Sequence, residues 1–109
     1  MRGEIVMSVG DQRYKADADK PRMSLVPPQI ITDIARVREY GVNKYGSIDS
    51  WRKVELSRYV DALLRHVWAF AHDIHGVDSE SGLEHYKHAA CNLAFLCEML
   101  SDESGGERT

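Results

Sequence analysis

The sequence predicts an all-α fold, a small helical bundle in a single domain. Three segments repeat apolar residues at i, i+3, i+4 and i+7, and none alternates as a half-buried strand would. Proline or glycine punctuates the intervals between them. A chain of 109 residues has room for one core.

The first helix is expected to start at Pro27 and Pro28, because proline suits a first helical turn. Ile30, Ile31, Ile34, Ala35 and Val37 face inward, and Gly41 is the expected C-terminal cap. Residues 41–51, with two glycines, Asn43, Asp49 and Ser50, read as a loop. The second helix is expected from about Val54 to Ile74, along an almost unbroken stripe from Leu56 through Tyr59, Leu63, Val67 and Phe70, and it stops at Gly76. The third opens on a capping box, with Ser81 as cap and Glu84 reaching back. Its predicted core stripe is Tyr86, Ala89, Ala90, Leu93, Leu96, Cys97 and Leu100, with Lys87, Cys91 and Glu98 pointing outward. Residues 1–23 are expected as an extended polar arm, 24–100 as the domain, and 101–109 as a disordered tail.

Composition narrows the function. A net charge of -3 argues against a general nucleic-acid binder, which would be basic. No apolar run approaches the roughly 20 residues that span a bilayer. The first residues lack a signal-peptide core, and Met7 is a second candidate start, so a cytoplasmic protein is expected. Cys91 and Cys97 lie on different sides of one helix, which predicts free thiols in a reducing compartment.

Helical rotation gathers the polar residues. His85, His88 and Asn92 share one stripe of the third helix, bordering its apolar face, where half-buried polar groups need partners. On the second helix, His66 and Asp73 line one border, and Arg58, Asp61, Arg65 and His72 another, with Ala62 and Ala69 between them. A purely solvated face with i,i+3 and i,i+4 ion pairs would use the same residues. Read as a site, the two arginines and Lys44 suit phosphate oxygens. Asp61 and Glu80 would hold a divalent cation, and His85 or His88 would activate water or ligate a softer ion. Trp51 either stacks on a base or anchors its loop.

Four segments carry a family resemblance: KPRMSLVP at 20–27, YGVNKYG at 40–46, RYVDALLRH at 58–66 and ESGLEHYKHAACN at 80–92. In this order they resemble the phage and bacterial dATP/dGTP diphosphohydrolase family. The resemblance implies an all-α fold similar to the MazG-type pyrophosphohydrolases, completed by oligomerisation as a dimer or tetramer. It implies metal-dependent cleavage of purine (d)NTPs, dATP or dGTP, to monophosphate and pyrophosphate, with Mg²⁺ or Mn²⁺. Carried over, Asp61, His85 and His88 are catalytic candidates, and Asp61, Glu80, His85 and His88 metal candidates. Lys20, Arg22, Lys44, Arg58 and Arg65 would hold phosphates, and Trp51 and Asn92 the base or sugar. The wider MazG pattern has glutamates where this chain has His85 and His88, which points to Mn²⁺, to supporting roles, or to lost hydrolysis. Ser50 stands where the family's loop has an asparagine before its Trp. The expected partner is a small-molecule nucleotide, with no membrane and no specific nucleic acid. Rival readings are a non-catalytic nucleotide sponge or sensor, an HD-type phosphohydrolase using His72 and Asp73, and a structural interaction protein. Trp68, on the outer side of its helix, is the predicted subunit contact.

Overall fold

The computed structural model describes residues 18–103, and the fold class is the predicted one. A 3-10 turn at Met23–Leu25 precedes three helices, α1 (Gln29–Tyr45), α2 (Leu56–His72) and α3 (His85–Glu103), which are joined by a 3-10 turn at Ser50–Lys53 and by a tight loop before α3. Most of the expected N-terminal arm and residues 104–109 of the expected tail lie outside the described residues.

Helix α3 is the shared wall. Both α1 and α2 pack against it, whereas α1 and α2 make almost no direct contact with each other. The buried apolar residues among those described are Val37, Ala89, Cys91 and Leu96, a thin core, joined by the buried polar Asp33 and Asn92. Gln29 donates to Asp33 at 3.0 Å and Lys87 pairs with it at 3.7 Å, so that carboxylate is satisfied where α1 meets α3.

Several predicted boundaries move. Gly41 lies inside α1, which continues one more turn to Tyr45. The cap is Gly46, in the left-handed region at φ 71, with its N–H donating to the Val42 carbonyl at 2.7 Å. Residues after Gly41 are adequate helix formers, and a single interior glycine weakens a helix without ending it. At the other end, α3 extends through Ser101, Asp102 and Glu103, which the sequence reading assigned to the tail.

The capping box at Ser81 does not form. The first helical bonds of α3 run from the N–H groups of Lys87 and His88 to the Glu84 carbonyl, so Glu84 itself stands at the cap. Ser81 is three residues too early, because a hairpin-like loop delays the helix. Val77 and Glu84 form an antiparallel bridge, Asp78 N–H donates to Leu83 O at 2.8 Å, and Gly82 (φ 75) closes back on Asp78 O at 2.7 Å.

Helix α3 is also rotated by roughly a quarter turn from its predicted facing. Cys91, expected outward, is its most buried residue at 2% exposure, whereas Leu93 is 49% exposed, and Tyr86 and Leu100 are exposed too. The reason is that α1 packs on the side of α3 that looks polar in sequence, around Cys91 and Asn92. Part of the apolar stripe is left at the surface, as are Leu64 and Trp68 of α2.

Two glycine substitutions test these assignments with opposite signs. Gly46→Ala meets no neighbouring atom but must adopt the left-handed backbone, a cost of about 1 kcal/mol. Its Tm should fall by about 4–8 °C in thermal unfolding followed by circular dichroism. Gly41→Ala, inside the helix with only the flexible Arg38 tip 3.7 Å from the new Cβ, should raise Tm. The reverse pattern would restore Gly41 as the cap.

Candidate functional site

The seam between α2 and α3 brings together His66, His85 and His88. The His66 and His85 Nδ1 atoms lie 2.9 Å apart, a hydrogen bond that needs a proton on one nitrogen only. His66 stacks on His88 with centroids 4.7 Å apart and planes 12° from parallel. His88 Nε2 is 2.7 Å from the Ser81 hydroxyl, which also accepts the Leu83 N–H at 3.1 Å. Ser81 thus orients an imidazole where a helix cap was expected.

The loop supplies the carboxylate. Asp78 Oδ2 accepts the N–H groups of Glu80 at 3.1 Å and Ser81 at 2.9 Å, which fixes the side chain. His66, Asp78 and His85 each present a ligand atom within 4.8 Å of the other two. Two imidazole nitrogens and a carboxylate oxygen suit a divalent metal, so the residues present fit such an ion.

Electrostatics favour the ligating forms of His66 and Asp78. Desolvation first, then the neighbouring His88 and His85, lowers the pKa of His66 to about 4. Burial likewise lowers His88, against the opposing pull of Asp78. Burial alone would raise Asp78, but the Ser81 N–H, His88 and the Glu80 N–H outweigh it and hold the carboxyl below its usual value.

From this seam a cleft of about 640 Å³ opens toward α1 and the 3-10 turn, with Arg38, Arg58, Arg65, His66, Asp78 and His88 in its wall. Among the described residues Arg58 and Arg65 have no ion-pair partner; the i,i+3 and i,i+4 pairs with Asp61 do not form. Asn92 also lines the cleft at 9% exposure, and its Oδ1 is buried without a hydrogen-bond partner.

The predicted residues divide. Arg58, Arg65, Trp51, Glu80, His88 and Asn92 line the cleft, and His85 joins through His66. Asp61 is exposed and outside the cleft wall, as are Lys20 and Arg22. Lys44 is tied to Glu80 in an ion pair that, with Tyr40, holds the Glu80 carboxyl below its usual range. Trp51 stacks on Phe95 at 4.5 Å with Arg52 over its ring, and Tyr59 donates to its carbonyl at 2.8 Å, the geometry of a loop anchor. His72 and Asp73 stand away from the cleft: His72 contacts the Trp68 carbonyl and Asp73 accepts the His75 N–H, which leaves the HD reading without support.

Sequence reasoning missed Arg38 and Asp78 as site residues. Arg38 reads as one more charge on α1, yet it donates to the Ile48 carbonyl at 2.6 Å and lies over Phe95. Asp78 sits in a loop, where periodicity says nothing. Its only signal was an Asp shortly before Ser81-Gly82, the composition of an Asx turn.

Residues 10–108 match the family model described as dATP/dGTP diphosphohydrolase, N-terminal. The chain belongs to this family. It is similar to a dATP/dGTP diphosphohydrolase of Salmonella phage PMBT28, 35% identical over 88 residues, which are 81% of this chain and 30% of that protein. The chain therefore spans under a third of the length of the curated relative it matches. No solved structure matches. Among the described residues no helix is long and apolar enough to cross a membrane.

The histidines give the metal-free protein a pH signature. The folded pKa of His66 lies below its ordinary value of 6.5, so the unfolded chain binds more protons between about pH 4 and 6.5. Stability from this group is complete above about pH 6.5 and is lost as pH falls toward 4. Urea midpoints measured across that window should decline on acidification, and less steeply in His66→Asn. Equal slopes in the two proteins would remove His66 as the source.

Proposed function

We propose that this chain is a metal-dependent nucleoside triphosphate pyrophosphohydrolase, acting on purine deoxynucleotides such as dATP and dGTP to release monophosphate and pyrophosphate. The observation that carries this reading is the juxtaposition of Arg58 and Arg65, which have no carboxylate partner among the described residues, and the imidazole seam in one cleft. Family membership and the name of the phage relative support the substrate class.

Arg58 and Arg65 would bind the triphosphate through bidentate bonds to phosphate oxygens, and Arg38 lies in the same wall. His88, with its pKa lowered by burial and its ring oriented by Ser81, would accept the proton of the attacking water. That water attacks the α-phosphorus, the α–β anhydride bond breaks, and pyrophosphate leaves with the electron pair. A divalent cation held by His66, Asp78 and His85 would supply Lewis-acid neutralisation of phosphate charge. The unpartnered Asn92 oxygen would accept a bond from a donor on the nucleoside.

A second reading, a nucleotide-binding module without turnover, is favoured by Asp61 lying exposed outside the cleft wall and by histidines at positions 85 and 88. An oligomer is proposed with either reading, on the apolar surface around Leu64, Trp68 (70% exposed) and Leu93.

Incubation with dATP, dGTP and the other NTPs plus divalent metal, followed by product chromatography, should give monophosphate and pyrophosphate. Arg65→Ala should raise KM by roughly tenfold or more, the loss of one charge-assisted bond. Binding without turnover by folded, metal-loaded protein would transfer the conclusion to the second reading. Light scattering should give a dimer or tetramer, reduced to monomer by Trp68→Asp; a monomeric parent protein would remove the assembly.

A further inference from the structure

We propose that His66, Asp78 and His85 form a site for one transition-metal dication of the Mn²⁺ to Zn²⁺ series, and that Mg²⁺ is not its natural occupant. This deepens the metal dependence proposed above by naming the class of ion.

Donor chemistry is the first support. Mg²⁺ is bound through oxygens in near-octahedral shells and retains several waters. A set with two imidazoles and one carboxylate suits the later first-row ions and Zn²⁺. Asp78 is the one carboxylate of the triad. Glu80, the nearest acid in sequence, is engaged by Lys44, and Asp61 lies outside the cleft wall.

Preorganisation is the second. Ring nitrogens bonded to a common metal at about 2.0–2.1 Å lie roughly 3 Å or slightly more apart when adjacent in its shell. The two Nδ1 atoms are already at 2.9 Å. The Asp78 carboxylate is aimed by two loop N–H bonds to Oδ2, the outer support that metal-ligating carboxylates receive. The three donors come from the middle of α2, the loop and the first residue of α3, so folding alone assembles them.

Function at the site is the third. Three protein ligands leave coordination positions for water or a phosphate oxygen, as in catalytic rather than structural metal centres. His66 and Asp78 also line the cleft that carries Arg58 and Arg65, so such positions lie beside the proposed phosphate site. His88, stacked on His66 but bonded to Ser81, is left outside the ligand set as a base.

The test uses the full chain without nucleotide. Titration with Co²⁺ should show one saturable site per chain with visible d–d absorption, displaced by Zn²⁺ and not by millimolar Mg²⁺. His66→Ala and His85→Ala should each weaken Co²⁺ by more than the roughly 10–100-fold typical of outer-sphere changes. Asp78→Asn should do the same while retaining the loop, because its Oδ1 still accepts the two N–H groups. His72→Ala, remote from the seam, should leave affinity unchanged, and circular dichroism should show helical content retained in all four variants. Should a triad variant lose its helices, Co²⁺ protection of His66 and His85 from diethylpyrocarbonate in the parent chain decides the assignment. Co²⁺ affinity unaltered by the triad substitutions, or Mg²⁺ displacing Co²⁺ at comparable concentration, would overturn the proposal. Hydrolysis of dNTPs is a separate readout: a Co²⁺ site in a chain without turnover leaves this inference standing, and Mg²⁺-supported turnover in His66→Ala refutes it while sparing the hydrolase reading.

Discussion

His66 packs against two other imidazole rings on a desolvated helix seam, and the rest of the site is arranged around its neutral form. His66 is pressed between His85 and His88 on a helix seam where desolvation and like charge both disfavour the protonated form. The shared N–H···N bond and the Ser81 hydroxyl satisfy the ring nitrogens without an extra positive charge. The loop then brings in Asp78, whose carboxylate is the natural counterpart to a cation shared by those nitrogens. A neutral His66 and a fixed carboxylate are what a metal requires, so the packing constraint and the chemical one coincide.

The same seam explains the placement of the arginines. Arg58 and Arg65 are i and i+7 on α2, one face of the helix, and His66 follows Arg65 directly. Had Asp61 paired with them, they would be an ordinary solvated face; with Asp61 outside the cleft wall, two guanidiniums line the cleft with no ion-pair partner among the described residues. Another part of the cleft lining is held by ring contacts, in which Arg38 lies over Phe95, Phe95 stacks on Trp51, and Arg52 covers Trp51. These contacts spend Trp51 on the scaffold. They leave the buried Asn92 oxygen as the polar group most in need of a partner there.

A thin core accompanies this arrangement. Helix α3 gives one side to α1 and another to α2, so the polar stripe with His88 and Asn92 is enclosed and part of the apolar stripe is not. Leu64, Trp68 and Leu93 remain exposed on the α2–α3 pair. Apolar surface of that kind on a domain this small is ordinarily covered by another surface.

The sequence by itself determined the helices and the identity of the polar cast. Periodicity is a local property, and it located three amphipathic segments with His85, His88 and Asn92 on one stripe and Arg58 and Arg65 on another. The family motifs, also local, led to the family that the comparison establishes. What it could not determine was which side of α3 is interior, because that depends on where α1 docks. Nor could it show which carboxylate meets the histidines. Asp61 sits on a helix and looked central, whereas Asp78 sits in a loop whose return onto α2 is set by a Gly82 turn and a bridge between Val77 and Glu84. Ligand sets are defined by distances of a few ångströms between residues far apart in the chain, and only the tertiary structure decides those.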